Sequence, residues 1–320
     1  MFVRRVSACA QGLSDWLGHR RSAPSNLGAQ SVWRAAVVLL FLTIVVGRDA
    51  PSAWGAGTPL TTSLARTFDA GSTYFMPYRL FLPPDLPTAS DKFPLVIFLH
   101  GAGEQGTNNV DQVATHIGGL WNAVRSPEYE AFMIAPQSHA GGWNPSSPYD
   151  RTMEIINSVI AEYPQIDTNR IYLTGLSMGG YGTFNYLQAY PDFFAAAAPM
   201  SGGGNPAKAY LYKDVPIWVF HGSADATVPV TQSQAMVAAL KAAGGNPLYT
   251  EIAGGGHNIW DITYADGVIQ QYGLYDWMFA QTLAVPEPAT LGSAALAGAA
   301  LLGVGRRARQ QRNRKAGRSA

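Results

Sequence analysis

Cysteine is almost absent from this chain of 320 residues, and the single Cys9 lies close to the N-terminus. The rest of the chain therefore excludes disulfide bonds and thiol catalysis. Charged residues make up only 13% and the net charge is +1, so the basic excess typical of nucleic-acid binding is missing. No His or carboxylate cluster has metal-ligand spacing, and no phosphate-binding glycine loop is present. The sequence therefore predicts neither a metal nor a cofactor.

The N-terminal end does not resemble a folded domain. Residues 1–34 are polar and basic without periodicity, and residues 35–46 form an unbroken apolar run. Small residues follow at positions 50–57, and the three parts together are typical of a secretory signal peptide. We therefore predict a leader over residues 1–56. A retained N-terminal membrane anchor and a buried core helix are the alternatives for the apolar run.

The C-terminal end has three parts. Pro286-Glu287-Pro288 comes first, and small and apolar residues follow at positions 292–304. A basic cluster then closes the chain, consisting of Arg306, Arg307, Arg309, Arg312, Arg314, Lys315 and Arg318. Such arginines stay on the cytoplasmic side and halt translocation.

This tail, residues 286–320, resembles the PEP-CTERM sorting signal. The resemblance implies export, cleavage near Pro286-Glu287-Pro288 by an exosortase, and association with an extracellular polysaccharide matrix. Before processing, the terminal apolar segments would contact the membrane. We therefore expect the mature protein in the cell envelope or in the extracellular matrix.

Residues 57–285 alternate between strand and helix patterns, which predicts one domain. The strands are predicted at residues 74–82, 93–99, 132–135, 171–174, 194–200, 215–220 and 248–252. Helices are predicted at residues 149–163, directly after residue 177, at 230–243 and at 268–283. This alternation indicates an α/β fold with a mostly parallel central sheet and helices on both faces.

The motif Gly175-Leu176-Ser177-Met178-Gly179 lies between a predicted strand and a predicted helix. A serine on such a sharp turn has a strained backbone, and the two glycines relieve the crowding around it. The turn exposes the serine hydroxyl and directs the start of the helix toward the reaction centre. We therefore predict that Ser177 is a nucleophile and that the Met178 N–H stabilises an oxyanion.

A serine nucleophile needs a base and a group that orients the base. His257 follows three glycines after a predicted strand, and Asp225 lies four residues after another strand. The chain order Ser177, Asp225, His257 is the order of α/β-hydrolases and differs from that of chymotrypsin and subtilisin. Asp261 and Asp266 are the alternative acids, although neither follows a strand.

A second oxyanion donor is expected in the loop after the strand at residues 93–99. Ala102 is the preferred candidate and Gly103 the next, with Glu104 at the rim of the site. Trp143 lies in a later loop, where it either stacks on a sugar or aryl group or packs under the loop. Gln137 either binds substrate or braces its loop.

Three stretches together resemble the α/β-hydrolase superfamily: residues 99–104, residues 171–183, and residues 221–229 with the pattern His-Gly-Ser-Ala-Asp-x-x-Val-Pro. Within it they are similar to the secreted carboxylesterase and "predicted peptidase" branch, which is related to feruloyl and polysaccharide esterases. The resemblance implies an ester hydrolase that works through an acyl-enzyme on polysaccharide or small esters. A serine peptidase of the same fold and a non-catalytic matrix-binding protein are the alternatives.

Overall fold

The computed structural model describes residues 57–69, 74–84, 92–139, 141–265 and 271–283. The predicted leader and the predicted tail lie outside these ranges, so the predicted domain limits of 57 and 285 stay a prediction. Within the described ranges, no helix is both long and apolar enough to cross a bilayer.

The elements alternate along the chain as the sequence predicted. The strands are β1 Ser63–Asp69, β2 Phe75–Phe81, β3 Phe93–Leu99, β4 Phe132–Pro136, β5 Ile166–Leu176, β6 Ala196–Met200, β7 Trp218–Gly222 and β8 Leu248–Ile252. The α-helices are α1 Asp111–Ala114, α2 Gly118–Ala123, α3 Thr152–Glu162, α4 Met178–Ala189, α5 Thr231–Ala242, α6 Trp260–Tyr264 and α7 Leu274–Phe279. Two 3₁₀ turns, Ala102–Glu104 and Pro206–Leu211, complete the described elements.

All eight strands form one sheet in the order β1-β2-β4-β3-β5-β6-β7-β8. β1 and β2 pair antiparallel, and β2 also pairs antiparallel with β4. The strands from β4 to β8 are parallel, with β3 between β4 and β5. The α/β-hydrolase fold class predicted from the sequence is therefore confirmed, and the carboxyl ends of β3 to β8 meet at one edge.

Helices cover both faces of the sheet because its central strands are apolar on both sides. Successive side chains of a strand point to opposite faces. Leu95, Ile97 and Leu99 of β3 accordingly join the core beneath α3, α4 and α5. Val96 and Phe98 join a second core beneath α1, α2, α6 and α7.

The sequence missed the edge strand β1 and the short helices α1, α2 and α6. β1 is half-exposed and has no clean alternation, so it lacks the usual strand signal. The predicted helix over residues 268–283 was too long in its described part, because α7 covers only Leu274–Phe279. Gly273 precedes it with a φ of 74°, a left-handed conformation that an α-helix cannot run through.

Candidate active site

Ser177 lies at the sharp turn between β5 and α4. Its φ of 53° and ψ of −114° are a strained combination for a residue with a side chain. A Cβ at Gly179 would lie 1.9 Å from the carbonyl oxygen of Leu99, and one at Gly175 would lie 2.4 Å from that of Gly179. The backbone therefore requires glycine at both positions. The Ser177 N–H donates to the Met200 carbonyl at 2.9 Å, which ties the turn to β6.

The structure brings Ser177, His257 and Asp225 together from three separate loops. His257 Nε2 lies 2.8 Å from Ser177 Oγ, and His257 Nδ1 lies 2.7 Å from Asp225 Oδ2. A carboxylate accepts a hydrogen bond, so Nδ1 carries the proton in the neutral ring and Nε2 faces the serine as an acceptor. This arrangement can move a proton from the serine hydroxyl to the imidazole.

The carboxylate of Asp225 is stabilised in its charged form. Burial by itself raises the pKa of Asp225, but hydrogen bonds from His257 and from the backbone N–H groups of Val228 and Thr227 outweigh it. The two N–H groups reach Asp225 Oδ1 at 2.9 and 2.8 Å. The net pKa lies below the ordinary value, so the acid is ionised at neutral pH.

His221 makes a contact with the acid that the sequence did not predict. The sequence pointed to a role in fixing loop backbone, and His221 Nε2 indeed lies 2.9 Å from the Val228 carbonyl oxygen. The same nitrogen is 3.2 Å from Asp225 Oδ2, and His221 Nδ1 is 2.7 Å from Ser233 Oγ. The i, i+4 spacing of His221 and Asp225 was the available signal.

His100 determines the orientation of the loop that follows β3. Its Nε2 accepts from the Ser138 N–H at 3.0 Å, so its Nδ1 carries the proton and donates to the Gly101 carbonyl at 2.6 Å. Burial lowers the pKa of His100 to about 4, against a smaller opposing effect of the Gly101 hydrogen bond, which keeps the ring neutral. A trans peptide holds its C=O and N–H on opposite sides, so the Ala102 N–H points away from His100.

The two expected oxyanion donors both begin a helical segment. Ala102 is the first residue of a 3₁₀ turn, and Met178 is the first residue of α4. Neither N–H has an acceptor within its own segment. A Cβ at Gly101 would lie 3.7 Å from Ser177 Cβ, so this loop adjoins the nucleophile. Gly103 is exposed in the same 3₁₀ turn.

Glu104 and Gln137 lie behind the oxyanion loop. Glu104 Oε2 is buried without a hydrogen-bond partner among the described residues. Gln137 is fully buried, and its Nε2 donates to the Glu104 carbonyl at 3.1 Å and to Asn108 Oδ1 at 3.0 Å. Its Oε1 accepts from the Asn109 N–H at 2.6 Å. Of the two roles that the sequence left open, the structure gives Gln137 the bracing role.

Trp143 is positioned to pack, and the expectation that it stacks on substrate needs correction. Its side chain is 2% exposed, and its Nε1 donates to the His100 carbonyl at 2.9 Å. The backbone at Gly182 comes so close that a Cβ there would lie 2.4 Å from Trp143 Cβ. No open ring face is left for a sugar or aryl group.

The alternative acids do not contact the base. Asp261 Oδ1 lies 2.8 Å from His116 Nδ1, and Asp266 lies outside the described residues. Trp260 contacts His257 edge-on at a ring separation of 5.0 Å, a contact that no sequence signal indicated. Within the described ranges, no three His, Cys, Asp or Glu side chains come together as a candidate metal site.

A cleft of about 630 Å³ opens beside Ser177, between the loop at residues 141–146 and one face of α4. Its α4 wall contains Tyr181, Asn185 and Gln188, which the sequence reasoning overlooked. Their i, i+4, i+7 spacing is a polar stripe on one helix face, and that pattern was the signal available.

This sheet, with a serine, an acid and a histidine at successive strand ends, defines an α/β-hydrolase. Residues 147–266 match the family model "Phospholipase/Carboxylesterase", and residues 284–310 match the PEP-CTERM protein-sorting motif. The chain is therefore an α/β-hydrolase of the carboxylesterase type that carries a PEP-CTERM sorting motif, as the sequence predicted. The family match supports a hydrolase.

Two solved structures are similar to this chain. A thermostable esterase is 39% identical with a TM-score of 0.62, and the match covers 70% of this chain and 64% of that one. A ferulic acid esterase is 21% identical with a TM-score of 0.53, and the match covers 68% of this chain and 100% of that one. The second likeness shows the fold alone.

Two curated relatives are also enzymes of ester cleavage by name. A bifunctional acetylxylan esterase/xylanase of Neocallimastix patriciarum is 31% identical over 46% of this chain and 21% of its own length. A poly(3-hydroxyalkanoate) depolymerase C of Paucimonas lemoignei is 30% identical over 34% of this chain and 28% of its own length. The chain thus spans less than a third of either relative.

Proposed function

We propose that this protein is an exported serine hydrolase of carboxylic esters, with Ser177, His257 and Asp225 as its catalytic triad. The observation that carries the proposal is the chain of two short hydrogen bonds from Ser177 through His257 to Asp225, 2.8 and 2.7 Å long. The ionised acid and the strained serine turn support it, because both are typical of an activated nucleophile.

In the first half of the reaction, Ser177 Oγ attacks the acyl carbon while His257 Nε2 takes the hydroxyl proton. The Met178 and Ala102 N–H groups stabilise the negative oxygen of the tetrahedral intermediate. The intermediate collapses, the bond to the alcohol breaks, and His257 returns the proton to the leaving oxygen. The acyl group then remains on Ser177.

In the second half, water attacks the acyl-enzyme with His257 again as the base. The second tetrahedral intermediate releases the carboxylic acid and regenerates the Ser177 hydroxyl. Asp225 orients the imidazole and stabilises its charged form throughout, as in other Ser-His-Asp hydrolases.

The preferred substrates are acyl or aryl esters on polysaccharides, and small esters beside them. The acetylxylan esterase relative and the 39% identical esterase support this choice. The PEP-CTERM motif indicates export to the cell envelope, where such polymers occur, and it implies processing by an exosortase. The acylaminoacyl peptidase among the fold neighbours is only 17% identical, so peptide cleavage rests on the fold alone.

The proposal is tested with the full chain on p-nitrophenyl acetate, butyrate and octanoate, beside a peptide p-nitroanilide. Ester turnover is expected, and Ser177→Ala should reduce kcat by at least about 10⁴-fold. Asp225→Asn should reduce kcat by about 10⁴-fold, while the matched Asp261→Asn variant keeps the wild-type rate. Loss of activity in Asp261→Asn with an active Asp225→Asn would overturn the assignment of the acid. Anilide cleavage without ester turnover would indicate a peptidase.

A further inference from the structure

The cleft beside Ser177 continues along α4, away from the reacting atoms. Its wall runs from Ser177 to Ala189, a distance of about 18 Å at the rise of an α-helix. A second cavity of about 310 Å³ shares Pro145 with the cleft and continues over Tyr186 and Tyr190. The helix groove is defined here as the loop at residues 141–146 together with the α4 wall that faces it.

The walls of the helix groove offer hydrogen bonds and no charge. The side chains with hydrogen-bonding groups beyond the nucleophile are Asn144, Ser146, Tyr181, Asn185 and Gln188. None is a carboxylate, an amine, a guanidinium or an imidazole. Burial, followed by the charge of Asp225, raises the pKa of Tyr181, so its hydroxyl is neutral as well. A charged ligand would find no counter-ion along this wall.

Two amides of the helix groove have fixed orientations. The amide nitrogen of Asn185 donates to the Trp143 carbonyl at 2.9 Å, so its oxygen is left as an acceptor for a ligand. Asn144 Oδ1 accepts from the Ser146 N–H at 3.1 Å, so its nitrogen is left as a donor. A ligand that satisfies both walls must therefore donate and accept hydrogen bonds.

The loop wall is held in place before any ligand arrives. The Asn185 bond ties it to α4, and the Trp143 indole ties it to the Leu99–Gly101 loop through the His100 carbonyl. Gly142 allows the loop to approach α4, because a Cβ there would already lie 3.5 Å from Met178 Sδ. A fixed wall reduces the entropy lost on binding.

We propose that the helix groove binds the sugar chain of a glycan ester, with the ester itself at Ser177. A hydroxyl group both donates and accepts, and a glycan carries several of them on each sugar. A polyester chain has acceptors only, and a long acyl chain needs apolar walls, so neither matches this lining. The inference rests on the proposed function for the position of the ester, but the groove's affinity for sugars is independent of catalysis.

Binding is measured by calorimetry on the full-chain Ser177→Ala variant. The probes are unesterified β-linked hexamers and dimers of xylose, glucose and N-acetylglucosamine, beside a 3-hydroxybutyrate hexamer and an uncharged hexapeptide. At least one hexasaccharide should bind, and more tightly than its dimer, because the groove is longer than two sugars. Gln188→Ala and Asn185→Ala should each weaken binding about fivefold, the effect of one lost hydrogen bond. Gln234→Ala, an exposed amide on α5, is the matched control and should change nothing.

Kinetics with the catalytic serine intact provide the second measurement. Gln188→Ala should raise KM about fivefold for an acetylated xylohexaose, with kcat and the rate on p-nitrophenyl acetate unchanged. Equal losses on both esters would overturn the proposal, and so would binding of the hydroxybutyrate or peptide probe in place of every sugar. Sugar binding without turnover of any ester would refute the proposed function and keep the groove. Turnover of p-nitrophenyl acetate without sugar binding would refute the groove alone.

Discussion

Replacing the buried His100 by leucine is expected to weaken the fold at neutral pH and to leave it almost unaffected at pH 4. His100→Leu removes the donor to the Gly101 carbonyl and the acceptor of the Ser138 N–H. The lost hydrogen bond costs about 1 kcal/mol, and the buried Ser138 N–H left without a partner adds about 2 kcal/mol. The free energy of unfolding at pH 7 should therefore fall by about 3 kcal/mol.

The pH dependence follows from the lowered pKa of His100. Between the ordinary value of 6.5 and the folded value of about 4, the unfolded chain binds a proton at His100 and the folded chain does not. Lowering the pH through this window therefore favours unfolding of the wild type, by about 3 kcal/mol at 1.4 kcal/mol per pKa unit. The leucine variant lacks this loss, so the difference between the two proteins should approach zero at pH 4.

The assay is urea unfolding of both full-length proteins at several pH values from 7 to 4. Other titrating groups are common to both proteins and cancel in the difference. His100→Gln is the control, because its amide can donate and accept but cannot titrate in this range. A stability difference between wild type and His100→Leu that stays constant from pH 7 to pH 4 would refute the reasoning, since His100 would then not be a buried neutral base.

The same substitution should affect catalysis through the oxyanion. Without the Nδ1 bond to Gly101, the Gly101–Ala102 peptide is free to turn and the Ala102 N–H loses its direction. We expect kcat on p-nitrophenyl acetate to fall about 10²-fold with little change in KM, because the donor acts mainly in the transition state. His100→Gln should keep most of the rate. An unchanged kcat in His100→Leu, with the protein folded, would remove Ala102 from the oxyanion hole.

Two further substitutions test the packing around the site. Gly179→Ala places a Cβ 1.9 Å from the Leu99 carbonyl oxygen and should destabilise the fold by about 3 kcal/mol, whereas Gly103→Ala meets no atom within 4 Å and should be tolerated; thermal unfolding of both variants compares them. Tyr264→Phe removes the buried hydrogen bond between Tyr264 and Thr174 Oγ1, 2.8 Å long, and should cost about 1 kcal/mol in urea unfolding with kcat unchanged. A loss of activity in Tyr264→Phe would show that this buried pair acts on the site.

The residues of the triad could be predicted because their signals are local. Ser177, Asp225 and His257 each follow a strand of the parallel sheet, and such strand ends meet at one edge. The glycines at 175 and 179 point to the turn because the backbone there excludes a Cβ. A reader of the sequence thus needs only a strand pattern and a short motif for each of these positions.

The substrate-facing residues could not be predicted in the same way, since exposure depends on neighbours that are remote in sequence. Trp143 is buried because Gly182, on α4, lets the loop lie against the helix. Gln137 is consumed by Glu104, Asn108 and Asn109, which the sequence placed only near the rim.

The amides of Asn144 and Asn185 show the limit most clearly. Each has one donor group and one acceptor atom, and the sequence cannot say which of them a ligand meets. The Ser146 N–H occupies the oxygen of one, and the Trp143 carbonyl occupies the nitrogen of the other. The loop conformation, rather than the residue type, thus decides that the groove offers a donor on one wall and an acceptor on the other. Substrate selection in this protein should therefore respond to changes in the loop at residues 141–146 while the triad stays intact.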